Sequence, residues 1–485
     1  MYIVMVSSEC APLAKVGGLG DFVQGLSREL QRQGHHLEVI LPDYDHVQHD
    51  SLRHCQVAYH ELWVPFYQDW VRCTVRVTVA EGLRCYLIAA DSVHGFFKRG
   101  FCYGAPDDAE RFAFFSRAVL EFLYKSGKQP DILHCQDWQT ALVPVLLTEM
   151  YRALGLHRPK VCYTLHNLGH QGLTGDYVLR QLGLDPAHLM TPARLQDRHQ
   201  AQTVNLMQGG IVYAHAVTTV SPRYAWEIQH SEQGQGLQGV LQEYAWKFNG
   251  ILNGLDYDIW NPAHDPHLVA RYGPDTLADK YANKQALRQR FWLQTVHKPL
   301  VAVVSRLDYQ KGGDLMIHAL HESQRQNAQF VLLGAATDTA MQQRFQALKQ
   351  QVNDNPDCHL ELGYDEHLAH QIYAGADILV IPSVYEPCGL TQMMAMKYGA
   401  VPVVRRTGGL ADTVFDANYA DQAFHQRNGY VFNDYTPDGL ESALHRAIGL
   451  WHQYPAYFRQ LRLNGMHCDY SWYHPAQRYL QLYAA

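Results

Sequence analysis

The chain has 485 residues, too many for one ordinary core, so at a prior of about 150 residues per domain two or perhaps three domains are expected. Lys+Arg 40 against Asp+Glu 47 leaves a net charge of −7, and with no basic run this argues against extended nucleic-acid or anionic-membrane binding. Ten cysteines without a C-x-x-C pair argue against a zinc ribbon or disulfide framework, and no apolar run is long enough to span a bilayer, so a soluble, cytoplasmic protein is expected.

The first strand is read at Tyr2 to Val6, close enough to Met1 to leave no room for a leader peptide. Directly after it comes "KVGGLGD", Lys15 to Asp21, and then a helix with Phe22, Val23, Leu26 and Leu30 at helical spacing. A strand, a glycine-rich turn and a helix make an anion-binding geometry: glycine lets the backbone come close, and free N–H groups at a helix start favour negative charge. Further strands are read at 37–42, 84–90, 131–137, 160–167 and 216–222, alternating with amphipathic helices, which predicts a doubly wound parallel sheet. The stretch 253–266, rich in Asn, Asp, Pro and Gly, reads as a connection. After a helix near 279–293 the alternation starts again, with strands at 300–307, 329–335, 358–364, 377–383 and 400–406. The expected fold is α/β, two Rossmann-like domains facing one another across a deep cleft. Their bounds are 1–250 and 251–469, with a last helix about 470–485.

In open α/β sheets ligands sit beyond the carboxyl ends of the strands, so the polar residues there are the candidates. In the first half these are Lys15, Gly17, Gly18 and Asp21, then Asp137 in "HCQDW", then His166 in "TLHN". In the second half they are Arg306 and Lys311 in "SRLDYQKG", Tyr364, and the run Glu386 to Thr391, "EPCGLT". The turn at 389–392 repeats the phosphate-cradling pattern of 17–22. One such turn per domain, with two cations close by in fold order, points to a diphosphate.

No G-x-G-x-x-G or G-x-x-x-x-G-K-[ST] loop competes. The "DYD" triplets at Asp43–Asp45 and Asp256–Asp258 read as turns and caps. The histidine pairs 166/170 and 367/370 lack a third ligand. No metal and no cofactor is therefore expected. Cys388 reads as a tight-turn packing residue rather than a nucleophile.

The blocks "KVGGLGD", "HCQDWQTALVP", "TLHNLGHQG", "GILNGLDYDIWNP", "SRLDYQKG", "EPCGLTQMMAMKYG" and "RRTGGLADTV" run through nearly the whole chain. In sequence and order they resemble the glycogen and bacterial starch synthases, retaining glucosyltransferases of the GT-B fold. The resemblance implies an ADP-glucose donor and an α-1,4-glucan or maltooligosaccharide acceptor extended at its non-reducing end. Nucleic acid, membrane and metal take no part. It places Lys15 and Gly18 at the donor and diphosphate, and Arg306 and Lys311 on the phosphates with the backbone N–H groups of Leu390 and Thr391. Tyr364 becomes the ring that stacks on adenine. Glu386, Cys388, Gly389, Asp137, His166 and Asn253 surround the glucosyl ring. Many relatives carry His where Gln136 stands. Three rival readings are a UDP-glucose enzyme acting on a small sugar, a glucan-binding protein without catalysis, and an NAD-dependent oxidoreductase.

Overall fold

The computed structural model describes residues 1–47 and 55–485. They form two compact units: Met1–Gly254 together with Trp472–Ala485, and Leu255–Ser471.

The first unit is built on the strands β1 (Tyr2–Val6), β2 (His36–Pro42), β3 (Gln56–Phe66), β4 (Asp69–Ala80), β5 (Leu83–Asp91), β6 (Ile132–Gln136) and β7 (Lys160–Leu165). The short strands β8 (Leu173–Thr174) and β9 (Val204–Asn205) pair with each other, and β10 (Ala216–Thr219) and β11 (Phe248–Gly250) complete the set. Nine of these strands form one sheet in the order β11-β10-β7-β6-β1-β2-β5-β4-β3. Strand β1 is apolar and β6 is buried along its whole length, its polar His134 and Gln136 included, because both faces of these central parallel strands are covered. The expected parallel sheet is thus present but incomplete as a description. Strands β3, β4 and β5 are antiparallel neighbours that extend it.

The last helix, Tyr473–Ala484, belongs to this unit for a packing reason. Trp472 lies edge-on to Phe22 at 5.5 Å and fills the space over Gly25, where a Cβ would come within 1.9 Å of the indole nitrogen. Gly25 is therefore a close-approach glycine in the middle of the helix Gly18–Arg32. Behind it the Tyr483 hydroxyl meets His134 Nδ1 at 2.8 Å, in the core under the sheet.

The second unit carries β12 (Leu300–Val304), β13 (Gln329–Gly334), β14 (Cys358–Leu362), β15 (Ile378–Ile381), β16 (Val401–Arg405) and β17 (Tyr430–Phe432). All are parallel, in the order β14-β13-β12-β15-β16-β17. Among the parallel strands of each sheet the winding reverses at one place, β1/β6 in the first unit and β12/β15 in the second. At such a switch point the loops leaving the two strands part in opposite directions and open a crevice.

Candidate active site

The first crevice is lined by the loops after β1 and β6. After β1 the chain folds back through a bridge between Cys10 and Ala14, then enters the helix at Gly18 with Gly17 as its cap. A Cβ at Gly17 or Gly18 would meet nothing within 4 Å, so backbone faces open space there. Two contacts set this loop. The Asp21 carboxylate holds Lys15 Nζ at 2.9 Å and so fixes the loop. The N–H groups of Val16 and Gly17 both donate to Glu9 Oε2, at 2.7 and 3.0 Å, while Tyr103 donates to Glu9 Oε1. Glu9 is buried and was not among the candidates. A lone glutamate in "VSSECAP" gives no pattern to see, because its partners are fixed only when the loop closes over it.

After β6, Asp137 adopts φ 52 and ψ −174, a region almost confined to glycine and costly for an aspartate, as residues at functional sites often are. Its carboxylate accepts the His166 N–H at 2.7 Å, tying the end of β6 to the end of β7. Burial lifts the Asp137 carboxyl to about 7, against the opposing effect of the His166 and Asn167 N–H groups, and Glu9 adds to the rise. His166 lies edge-on to Phe22 at 4.6 Å and its Nε2 is 2.9 Å from Gln136 Oε1. Gln136 Nε2 donates in turn to the His134 carbonyl, so Gln136 presents its oxygen and His166 carries its proton on Nε2. Burial lowers the His166 imidazole to about 3. The ring is neutral at pH 7 and keeps Nδ1 as an acceptor, with no partner among the described residues. Asn253, after β11, is buried, and its Oδ1 has no partner among the described residues. Asp137 and His166 are thus brought together, and Asn253 stands as a separate polar group.

The second crevice is lined by the loops after β12 and β15. Asp308 organises the first of them: it accepts the Lys311 N–H at 2.8 Å and pairs with Arg306 at 3.1 Å. The Lys311 ammonium reaches Glu386 Oε2 at 2.6 Å, and the Ser383 hydroxyl donates to the same oxygen at 3.0 Å. Glu386 is 5% exposed, so this pair joins the two loops in a shielded place. Among the described residues Glu386 Oε1 has no partner.

The loop 386–390 rests on the helix Gly408–Thr413. Gly409 N–H donates to the Glu386 carbonyl at 3.1 Å, and Gly408, at φ 44, leaves no room for a side chain: a Cβ would lie 1.8 Å from that carbonyl oxygen. Cys388 is buried against Gly409, a packing position. Gly389 has φ 73, and the Gln392 amide donates to its carbonyl and to that of Cys388. The next helix is Thr391–Lys397, and no described residue accepts from the Leu390 or Thr391 N–H. Tyr364 stands after β14 and is 76% exposed.

The triplets go elsewhere. Asp43 pairs with Arg76, Asp45 accepts the Gly100 N–H, and Asp256 closes a turn onto Asp258. His370 is held by Asp265 and stacks on Trp260.

The family model for the starch synthase catalytic domain matches residues 2–243, and that for glycosyl transferases group 1 matches residues 288–459. Glycogen synthase 1 of Nitrosococcus oceani is 58% identical over 483 residues, covering 100% of this chain and 99% of its own. Glycogen synthase 2 of Methylococcus capsulatus is 53% identical, covering 99% and 98%. Among solved structures, the catalytic domain of starch synthase IV from Arabidopsis thaliana bound to ADP and acarbose superposes with a TM-score of 0.96 at 42% identity, covering 100% and 98%.

Proposed function

The chain belongs to the glycogen and starch synthase family of GT-B glycosyltransferases, and from that premise we propose how its residues divide the transfer of glucose from ADP-glucose to an α-1,4-glucan. The observation that carries the division is the Lys311–Glu386–Ser383 cluster at the β12/β15 switch point.

The second unit takes the nucleotide sugar. Breaking the anomeric C–O bond leaves its electron pair on the diphosphate, so cations there are worth most as the bond opens. Lys311 and Arg306 supply that charge in place of a metal ion, and the N–H groups of Leu390 and Thr391 add donors. The Tyr364 ring offers its face to adenine. With Oε2 held by Lys311 and Ser383, Glu386 keeps Oε1 to accept from a glucosyl hydroxyl. Cys388 and Gly389 shape the wall beside it.

The first unit takes the sugar and the growing glucan. Neutral His166 accepts a hydroxyl through Nδ1. Asp137 and Asn253 contribute one carboxyl and one amide oxygen. Lys15, Gly17, Gly18 and Asp21 form a preset loop whose open backbone receives the donor. The acceptor oxygen attacks the anomeric carbon on the face the diphosphate leaves, and its proton passes to the departing phosphate oxygen. One C–O bond breaks, one forms, and the α configuration is kept. Ten unpaired cysteines suit the reducing cytoplasm as its compartment.

The test is turnover of ADP-glucose and UDP-glucose on glycogen and on maltooligosaccharides, with and without EDTA. The reading expects a higher kcat/KM for ADP-glucose and activity that survives EDTA. Equal use of both donors, or loss with EDTA restored by Mg²⁺, would overturn it.

A further inference from the structure

A second concentration of charge lies in the second unit, at the opposite ends of its strands. The helix Lys280–Arg290 places Lys280, Lys284 and Arg288 four residues apart on one face, and all three are buried. With Lys298 and Arg462 they line a cavity of about 390 Å³, large enough for a small metabolite. Lys298 precedes β12 whereas Arg306 follows it, and five strand residues span about 17 Å, so the cavity is separate from the β12/β15 crevice.

The charges do not balance. Five basic side chains face one lining carboxylate, Asp377, which sits between Lys284 at 2.5 Å and Arg462 at 2.8 Å. Burial alone would raise the Asp377 carboxyl, but these cations hold it down to about 2. Asp357, outside the cavity wall, takes Lys298. Among the described residues Lys280 donates to the carbonyls of Tyr373 and Ala374 at the end of a helix, and Arg288 to Gln329 and the Lys298 carbonyl. Burial, with Arg462 and Lys284 beside it, drives the Lys280 ammonium well below its usual range. Arg462 uses Nε and Nη2, and its Nη1 has no acceptor among the described residues. Buried cations beyond what carboxylates neutralise are costly unless an anion joins them.

We propose that this cavity binds a phosphate monoester, its dianion held by Lys280, Lys298 and Arg462 and its organic part lying on the wall formed by Trp451 and Tyr281. Bare phosphate would leave much of the volume unfilled, and a fork of guanidinium with two ammonium groups matches a dianion better than a single carboxylate.

Calorimetric titration of the full chain tests this, at fixed ionic strength with saturating ADP present so that the crevice cations are occupied. The probes are inorganic phosphate, glycerol 3-phosphate and fructose 6-phosphate. One saturable site per chain is expected, with the sugar ester at least about tenfold tighter than inorganic phosphate. Thr295 is exposed on the cavity lip, so Thr295→Glu adds a repelling charge without disturbing the core. It should weaken ester binding about tenfold or more while leaving the melting temperature and the ADP affinity unchanged. Absence of saturable heat at millimolar ester, or ester binding indifferent to Thr295→Glu, would overturn the proposal. So would binding seen only when ADP is omitted, which would place the phosphate on Arg306 and Lys311.

Discussion

The two switch points have the same topology and opposite electrostatics. At β12/β15 the working groups are charged: Arg306 and Lys311 face Asp308 and Glu386, with the ammonium at 2.6 Å from a carboxylate. At β1/β6 the side chains at the ends of β6 and β7 are neutral or nearly so: burial holds His166 uncharged and lifts Asp137 to about 7. The lesson is a division of labour within one fold motif. A charged crevice suits a leaving diphosphate, whereas a dry, weakly charged one suits hydroxyls, which need oriented acceptors more than net charge.

The hardest blow to this contrast comes from Lys311→Ala. Losing one donor to a developing anion costs about 3 kcal/mol, so kcat and kcat/KM should fall together by about a hundredfold. Lys15→Ala removes the matching cation of the first unit, already held by Asp21 within its own loop, and should cost less. Steady-state assays of both variants with ADP-glucose and glycogen decide it. Equal losses would mean that the two crevices share the charge work.

Tyr364→Ala sharpens the nucleotide side. Stacking of a base on an aromatic ring contributes about 1–3 kcal/mol, so KM for ADP-glucose should rise about tenfold with kcat little changed. The preference over UDP-glucose should narrow. A variant that lost kcat at constant KM would place the ring in the chemistry instead.

Much of this was legible in the sequence, and the reason is burial. Strands such as β1 and β12 are covered on both faces, so each reads as an unbroken apolar run whose end marks a candidate loop. The pair β3 and β4 was not read. Residues 56–61 of β3 are mostly exposed, the register shifts twice, and Pro65 interrupts it, features of an edge strand that leave no clean alternation. Residue types at the strand ends were visible, but their partners were not. Lys311 and Glu386 lie 75 residues apart. The positive φ of Asp137 and the contact that demands glycine at 408 exist only in the folded backbone. The stretch near 279–293 reads as a helix, yet the burial of Lys280, Lys284 and Arg288 comes from a cavity wall that its own sequence does not contain.

Asp137→Asn examines the neutral side through pH. The Asp137 carboxyl titrates near 7 in the fold and near 3.9 in an unfolded chain, so between about pH 4 and 7 the folded form holds a proton that the unfolded form has released. Stability from this group is therefore complete below about pH 4, declines as pH rises through 7, and is constant above. Asp137→Asn should flatten that decline in denaturant melts and remove an inflection near pH 7 from kcat/KM. His166, neutral from about pH 4 upward, contributes no inflection in that range. An inflection near 7 that persists in Asp137→Asn would assign it to another group.

Glu9→Gln is the gentlest test, because it changes charge while sparing geometry. One oxygen of Glu9 accepts from Val16 and Gly17, and the amide oxygen of glutamine can take both. The other accepts from Tyr103, whose hydroxyl also meets Ser8 at 2.7 Å and can turn its proton there, leaving its own oxygen for the new amide N–H. The loop before the helix Gly18–Arg32 should therefore stay in place, and kcat/KM should fall by less than about fivefold, roughly 1 kcal/mol. The charge itself matters at one remove: Glu9 is among the groups that raise the Asp137 carboxyl, so the inflection near pH 7 should move down in Glu9→Gln. Glu9→Ala removes the acceptor as well, stranding two loop N–H groups, and should cost distinctly more than Glu9→Gln in both activity and melting temperature. If the two variants behaved alike, Glu9 would act through its charge alone, and the first crevice would be less different from the second than its hydrogen bonds imply.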